Sequence, residues 1–207
     1  MPVFADGAPD FATLLERLRR TVVIGTSGSG KTTFARDLAH ILHIPHIELD
    51  ALHWGPAWTE RPIEEFRHLV SQAVAGEAWS LDGNYSAVRD IVWPRATAVI
   101  WLNYSLPATF YRVLKRTARR VLRQEELYAG NRESFRRSFL SRESILVWVL
   151  TTYRRRRREY PRLLAEPQHA HLHVTTVRSP PEAERLLAQI RTAAPGDAAA
   201  GAARAPS

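Results

Sequence analysis

A glycine-rich segment at Gly25–Thr32, GTSGSGKT, carries the clearest chemical signature in the chain. It matches the pattern GxxxxGK[ST], in which successive backbone N–H groups curl around the phosphates of a nucleotide. Lys31 is expected to reach the β- and γ-phosphate oxygens, and the hydroxyl of Thr32 to bind magnesium. The helix that follows adds the positive end of its dipole. The spacing therefore predicts a binding loop for a nucleoside triphosphate, taken to be ATP, with Mg²⁺ as the cofactor.

The residues expected to contact the nucleotide are the glycines, hydroxyl residues and lysine of this loop: Gly25, Ser27, Gly28, Ser29, Gly30, Lys31, Thr32 and Thr33. A glycine-rich turn that only joins a strand to a helix is the alternative. The flanks favour the phosphate loop. Thr21–Ile24 is a β-branched run typical of a buried strand, and Lys31–Leu42 has its apolar residues on one helical face.

Two aspartates follow later apolar runs and are candidates for roles in the reaction. Asp82 ends the segment WSLD and resembles the aspartate that holds magnesium in phosphate-loop proteins. Its neighbour is Gly83, so the glutamate with which motor-type ATPases activate water is missing there. Asp50 could take the proton of an acceptor hydroxyl or help to position magnesium. Each aspartate could instead be a turn or capping residue, and His53, in an aromatic loop, is more typical of a packed side chain.

An arginine-rich segment at residues 105–123 predicts a helix with one basic face. At about 100° per residue, five arginines cluster there: Arg112, Arg116, Arg119, Arg120 and Arg123. The opposite face is expected to pack on the protein through Phe110, Leu114, Thr117 and Val121. A mobile lid of this kind would neutralise charge on a transferred phosphoryl group. A solvated basic face is the alternative, although five arginines with no acid before Glu125 repel one another unless an anion binds.

A second basic run consists of five consecutive arginines, Arg154–Arg158. Consecutive residues point all around a helix, so these five cannot all face one small ligand. A solvated surface is the first interpretation, and contact with nucleic acid or an acidic partner is the alternative. The aromatic residues Trp148, Tyr153 and Tyr160 are expected to pack the helix rather than to stack on bases.

The net charge of +8 and the pI near 10.5 come from one part of the chain. Residues 112–162 carry sixteen Lys or Arg against five Asp or Glu, so the remainder sums to −3. Such a segment could meet the phosphates of a small ligand, a nucleic acid or an anionic membrane surface. Composition alone does not choose between these partners.

Composition also excludes several classes of site. The 207 residues include no cysteine, which rules out disulfides, thiolate zinc sites and cysteine nucleophiles. The apolar stretch Ile145–Leu150 is far shorter than the roughly 20 residues of a membrane helix. The N-terminus lacks the basic and apolar parts of a secretory signal. A cytoplasmic protein without membrane contact is therefore expected.

Strands and helices alternate along the chain, which predicts an α/β fold with a mostly parallel sheet covered on both faces. Strands are expected at 21–24, 44–49, 78–81, 96–102 and 172–177. Helices are expected at 10–20, 31–42, 62–75, 105–123, 144–160 and 181–193. Ligands of such sheets lie beyond the carboxyl ends of the strands. Gly25, Asp50, Asp82 and Asn103 fall at those predicted ends, so four segments should converge on one site.

The length fits one domain, expected over residues 1–193, with the lid and basic helical region at about 107–160. The Ala-, Gly- and Pro-rich tail at 194–207 lacks apolar bulk and is predicted to be disordered.

Four segments together resemble the adenylate-kinase-like P-loop NTPases known as the topology modulation protein group: Gly25–Thr33, Ile47–Trp54 (IELDALHW), Asp82–Tyr85 (DGNY) and Gly130–Glu133 (GNRE). The resemblance covers about residues 20–190. It implies a nucleoside- or shikimate-kinase-type core, with three layers around a five-stranded parallel sheet in the order 2-3-1-4-5 and an arginine-rich helical lid.

The same resemblance implies that Asp50 lies near the acceptor, Asp82 near magnesium, and Arg116 and Arg120 in the lid. DGNY stands where adenylate kinases carry a DGFPR-like segment. The arginine expected in that segment is absent, and Arg89 is the candidate substitute.

These features predict an ATP-dependent kinase that transfers the γ-phosphoryl group to a small acceptor: a nucleotide, a nucleoside or a hydroxyl metabolite. The expected catalytic residues are Lys31, Asp50, Arg116 and Arg120, and the expected magnesium ligands are Thr32 and Asp82. The alternative is a nucleotide-regulated protein that binds nucleic acid through residues 112–162. The acceptor, the choice between ATP and GTP, and the oligomeric state stay open at this point.

Overall fold

The computed structural model describes residues 11–123 and 145–194 of the chain. The GNRE segment at 130–133 and the predicted tail from residue 195 onward lie outside the described residues. Eight helices are described: α1 Phe11–Arg17, α2 Lys31–Leu42, α3 Leu49–His53, α4 Ile63–Ala73, α5 Arg89–Val92, α6 Leu106–Arg123, α7 Ile145–Leu164 and α8 Pro180–Ala193. Five strands alternate with them: β1 Arg20–Gly25, β2 His46–Glu48, β3 Trp79–Asp82, β4 Ala98–Leu102 and β5 His173–Val177. Short 3-10 turns lie at Pro56–Trp58, Ser86–Val88 and Pro167–His169.

The five strands form one parallel sheet in the order β2-β3-β1-β4-β5. Helices α1, α2 and α8 cover one face of the sheet, and α4, α5 and α7 contribute to the core on the other. Successive side chains of β1 point to opposite faces of the sheet. Val23 therefore packs in the core with α1, α2 and α8, and Val22 and Ile24 pack in the core with α4, α5 and α7. The predicted α/β class, the three layers and the strand order are confirmed.

Strand β2 is shorter than predicted and ends at Glu48. It is an edge strand that pairs only with β3, through three residues. Leu49 then turns into helix α3, where its buried side chain lies under Gly83. Asp50 is therefore not the end of a strand, as predicted, but a residue in the first turn of α3, where an acidic side chain is favourable.

Helix α7 continues past Tyr160, its predicted end, through Pro161 to Leu164. A proline inside a helix removes one backbone hydrogen bond. Burial of Tyr160 and packing of Leu163 and Leu164 against the core compensate for that loss. Within the described part of the chain, no helix combines the length and apolar character needed to cross a bilayer.

Candidate active site

The glycine-rich loop joins β1 to α2 at the carboxyl edge of the sheet. Gly28 has a φ of 81°, and a Cβ there would lie 2.0 Å from Cγ2 of Val113. Only glycine fits this position without displacing its neighbour. Gly30 caps α2 without a side chain, so the first-turn N–H groups of the helix are available to an anion. This geometry leaves room for an anion at the start of α2.

The side chain of Lys31 contacts this loop, and its Nζ donates to the carbonyl oxygen of Thr26 at 3.4 Å. The ammonium group is thus held over the loop that would receive the phosphates. The contact with phosphate oxygens that the motif predicts for Lys31 stays a prediction.

The two predicted magnesium ligands lie together in the structure. Thr32 Oγ1 donates to Asp82 Oδ2 at 2.6 Å and also lies 3.3 Å from Glu48 Oε1. Asp82 is buried, with 2% of its surface exposed, and its second oxygen lies 2.9 Å from Nε2 of His46. Hydroxyl and carboxylate oxygens are the ligands that Mg²⁺ prefers, so this donor set fits the ion.

Magnesium sites of this kind use one or two carboxylates together with phosphate oxygens. In the described ranges no group of three or more His, Cys, Asp or Glu side chains is arranged to hold a metal ion. Sequence reasoning missed Glu48 and His46. Strand register explains the position of Glu48. It pairs with Asp82 across β2 and β3, so its carboxylate reaches the hydroxyl of Thr32 as well.

Asn84 anchors the start of the phosphate loop, a role that the sequence did not suggest. Its Oδ1 accepts from the backbone N–H of Gly25 at 3.3 Å, and its Nδ2 donates to the carbonyl oxygen of Gly25. The side chain thereby satisfies both backbone groups of the glycine at the carboxyl end of β1. The DGNY segment drew attention to this residue, but its partner lies 59 positions away.

Asp50 and Tyr85 form the next part of the site. The Tyr85 hydroxyl donates to Asp50 Oδ1 at 2.7 Å, which fixes the carboxylate beside the loop after β3. His53 is packed, as expected: its ring centroid lies 4.6 Å from that of Tyr85 and 5.0 Å from that of Phe66. Its side chain is only 14% exposed. The rings of His53 and Phe66 thus pack against Tyr85, whose hydroxyl holds Asp50.

Helix α6 packs directly on the phosphate loop, although through different residues than predicted. Val113 is fully buried against Gly28, whereas Leu114 is 39% exposed, so the predicted packing stripe is wrong at Leu114. The missing side chain at Gly28 leaves the space that Val113 fills. Arg112, one residue earlier, donates from Nε to the carbonyl oxygen of Gly28 at 3.3 Å.

The predicted lid arginines belong to this same helix. Arg116 and Arg120 lie on α6, and their side chains are outside the described residues. Their predicted contact with phosphate stays a prediction. Arg112 is the arginine of this face whose contact with the phosphate loop is described.

The arginines of the second run, Arg154–Arg158, differ in how exposed they are on helix α7. Arg154, Arg155 and Arg158 are exposed, as predicted for a solvated surface. Arg157 folds onto Tyr153, with its Nη1 2.8 Å from the hydroxyl and its guanidinium 5.5 Å from the ring centre. Arg156 points inward instead, and its Nη1 is buried.

The aromatic residues of α7 pack the helix, as predicted. Tyr153 and Tyr160 are 6% and 4% exposed, and Tyr153 donates its hydroxyl to the carbonyl oxygen of Tyr104 at 2.9 Å. The side chain of Trp148 lies outside the described residues. Base stacking by Tyr153 or Tyr160 is therefore excluded in this arrangement.

Comparison with known proteins adds nothing to the description of the site. No family model matches the chain, and no curated protein matches it. Among solved structures, it is similar to a gluconokinase from Sinorhizobium meliloti 1021, with 20% identity over 84% of this chain and 94% of that chain, at a TM-score of 0.45. A similarity at this level says nothing about the reaction or the substrate of the chain.

Proposed function

We propose that the chain is a magnesium-dependent phosphotransferase that moves the γ-phosphoryl group of ATP to a small acceptor. The observation that carries the proposal is the hydrogen bond of 2.6 Å between Thr32 and Asp82. It joins the hydroxyl of a complete phosphate-loop motif to a buried carboxylate on the neighbouring strand. These are the two protein groups that hold magnesium in P-loop NTPases.

The chain's own residues divide the remaining work. Backbone N–H groups of Gly25–Thr33 and the ammonium of Lys31 would bind the phosphates and stabilise charge that develops on the transferred group. Thr32 and Asp82 would hold magnesium, whose charge would offset that of the phosphates. Asp50, fixed by Tyr85, would accept the proton of the acceptor hydroxyl. Arg116 and Arg120 would close over the phosphates from α6.

Transfer to an acceptor is favoured over hydrolysis by the residue after Asp82. Gly83 has a φ of 145° and lies against Leu49, where an added Cβ would come within 2.7 Å of the leucine Cβ. A glutamate at this position would be strained and would clash. The carboxylate that activates water in motor-type ATPases therefore has no place beside Asp82.

The test is ATP turnover by the purified protein against nucleoside monophosphates, nucleosides and small hydroxyl metabolites, with Lys31→Ala as the control. We expect one acceptor to raise ADP production well above the water background in the wild type only. Slow hydrolysis alone decides nothing, because kinases leak phosphoryl groups to water. If ATP binds and no acceptor stimulates turnover, the phosphotransferase proposal loses its support.

A further inference from the structure

The buried carboxylate of Asp82 is held by two side chains, one at each oxygen. Thr32 Oγ1 donates to Oδ2 at 2.6 Å, and Nε2 of His46 lies 2.9 Å from Oδ1. The Asp82 side chain is 3% exposed and the His46 side chain 20%. An ionised carboxylate only accepts hydrogen bonds, so Nε2 of His46 is the donor and carries a proton.

The edge strand β2 brings His46 to this position. Across β2 and β3, Glu48 pairs with Asp82, and His46 pairs with Ser80. Residues two apart on a strand share a face of the sheet, so all four side chains lie on one face. Glu48 is thus near the Thr32 hydroxyl, whereas His46 meets Asp82 from the amino end of the strands, away from the phosphate loop.

The contact with His46 matters because Asp82 is buried. A buried carboxylate is costly unless its oxygens are hydrogen-bonded. Without His46, Oδ1 loses its donor, and the carboxylate is free to turn away from Thr32. The imidazole therefore fixes the orientation of a group that would otherwise be held at one oxygen.

We infer that His46 is a positioning residue for the magnesium site. It holds Oδ1 of Asp82, so that the other oxygen stays with the hydroxyl of Thr32, the second expected magnesium ligand. The inference rests on the proposed function. Loss of a side chain that orients a metal-binding carboxylate typically weakens metal affinity about 10- to 100-fold. A structural role alone would lower stability and leave the magnesium dependence unchanged.

The test is calorimetric binding of AMP-PNP, a non-hydrolysable ATP analogue, over a series of Mg²⁺ concentrations and with a chelator. Wild-type protein should bind the analogue more tightly as Mg²⁺ rises. His46→Leu removes the donor and keeps an apolar side chain of similar size. It should need at least about tenfold more Mg²⁺ for the half-maximal gain in affinity, and should bind like wild type in the chelator.

Two polar variants test whether the donor itself is responsible. The amide nitrogen of a glutamine reaches about as far as Nε2, so His46→Gln should keep the Mg²⁺ requirement within about threefold of wild type. The amide of an asparagine ends nearer the backbone, so His46→Asn should behave like His46→Leu. If His46→Leu does not fold, the comparison of these two variants decides. His40→Leu, the same substitution at an exposed histidine, is the matched control and should change nothing.

A second measurement needs no ligand. Nitrogen NMR of the His46 ring, assigned through the loss of its signals in His46→Gln, should show a proton on Nε2. A bare Nε2 would overturn the inference, because the ring could not then donate to Asp82. Urea unfolding of the ligand-free variants measures the structural share of the contact separately.

The wild-type titration separates the two proposals. If the analogue does not bind, or Mg²⁺ does not strengthen its binding, the proposed function and the inference fail together. If wild type behaves as expected, any of three results overturns the inference alone: His46→Leu keeps the wild-type Mg²⁺ requirement, it loses affinity equally with and without Mg²⁺, or His46→Asn restores binding as well as His46→Gln.

Discussion

Thr32 Oγ1 and Asp82 Oδ2 are 2.6 Å apart, although the two residues are separated by 50 positions in the chain. Parallel pairing of β1 with β3 produces this contact, because Val23 and Asp82 share a register position at the end where the phosphate loop begins. The hydroxyl and the carboxylate therefore meet before any ligand binds. Its loss should weaken magnesium-dependent binding and also lower stability, because the buried Asp82 carboxylate loses a hydrogen-bond donor.

Thr32→Val removes the hydroxyl and keeps the size of the side chain. We expect roughly 10- to 100-fold weaker ATP binding in the presence of Mg²⁺, the range that typically follows damage to a metal site. Binding measured with a chelator present should change little, because the phosphate-loop backbone is intact. Thr32→Ser is the matched control and should retain most of the affinity. Equal losses with and without Mg²⁺ would contradict a role as metal ligand.

Asn84→Ala should destabilise the protein and weaken ATP binding together. The substitution leaves the N–H and carbonyl groups of Gly25 without their side-chain partner. An unsatisfied buried polar group costs about 1–3 kcal/mol, which urea unfolding can measure. The control is Gln168→Ala, which removes an exposed amide bonded to the surface residue Glu166 and should cost less than about 0.5 kcal/mol. Equal effects of the two variants would rule out the anchoring role of Asn84.

Gly28→Ala should be strongly destabilising, because the new methyl group would overlap Val113 and the residue has a positive φ. Adding Val113→Ala removes the overlap and leaves the backbone strain. We therefore expect a coupling of about 0.5–3 kcal/mol in a double-mutant cycle. The matched control is Gly76→Ala, where the nearest atom to the added methyl group is 3.9 Å away. Additive effects of Gly28→Ala and Val113→Ala would show that α6 does not pack on the loop as described.

Local patterns were sufficient to predict most of the helices and strands of the fold. Both ends of helix α2, Lys31–Leu42, were predicted to the residue, because a glycine precedes its first residue and its apolar residues follow a helical period. The strand order came with the resemblance and is confirmed. The contacts that position Asp82 and Gly25 could not be predicted in this way. The contact of Glu48 depends on strand register and on Thr32, which is 16 positions away, and the contact of Asn84 depends on Gly25, which is 59 positions away.

The inward direction of Arg156 could have been predicted from the sequence. At about 100° per residue, Arg156 falls on the same side of α7 as Tyr153 and Tyr160, which were expected to pack. Five consecutive arginines hide this periodicity, because the sequence does not alternate between apolar and charged residues there. Pro161 hid it further, because a proline usually marks the end of a helix.

Stability should fall as the pH drops below about 6.5, through His173 at the start of β5. Burial, followed by the charge of Arg17, lowers the pKa of His173 in the folded state. The unfolded chain therefore binds a proton first as the pH falls, and the free energy of unfolding decreases. His173→Gln should flatten this part of the stability curve measured by urea unfolding. The same substitution at the exposed His68 is the control. An unchanged slope in His173→Gln would contradict the assignment.

The exposed arginines of α7 distinguish the phosphotransferase from the alternative, a nucleic-acid-binding protein. We expect the triple variant Arg154→Gln, Arg155→Gln, Arg158→Gln to keep acceptor-stimulated ATP turnover within about twofold, because these side chains are exposed to solvent. Lys31→Ala should abolish that turnover. Oligonucleotide binding is measured in parallel at several salt concentrations, since contacts with phosphates make affinity steeply salt-dependent. Steep salt-dependent binding that the triple variant loses and Lys31→Ala retains would favour the alternative. In that case the basic surface of α7, rather than a small acceptor beside Asp50, would be the place where the chain meets its partner.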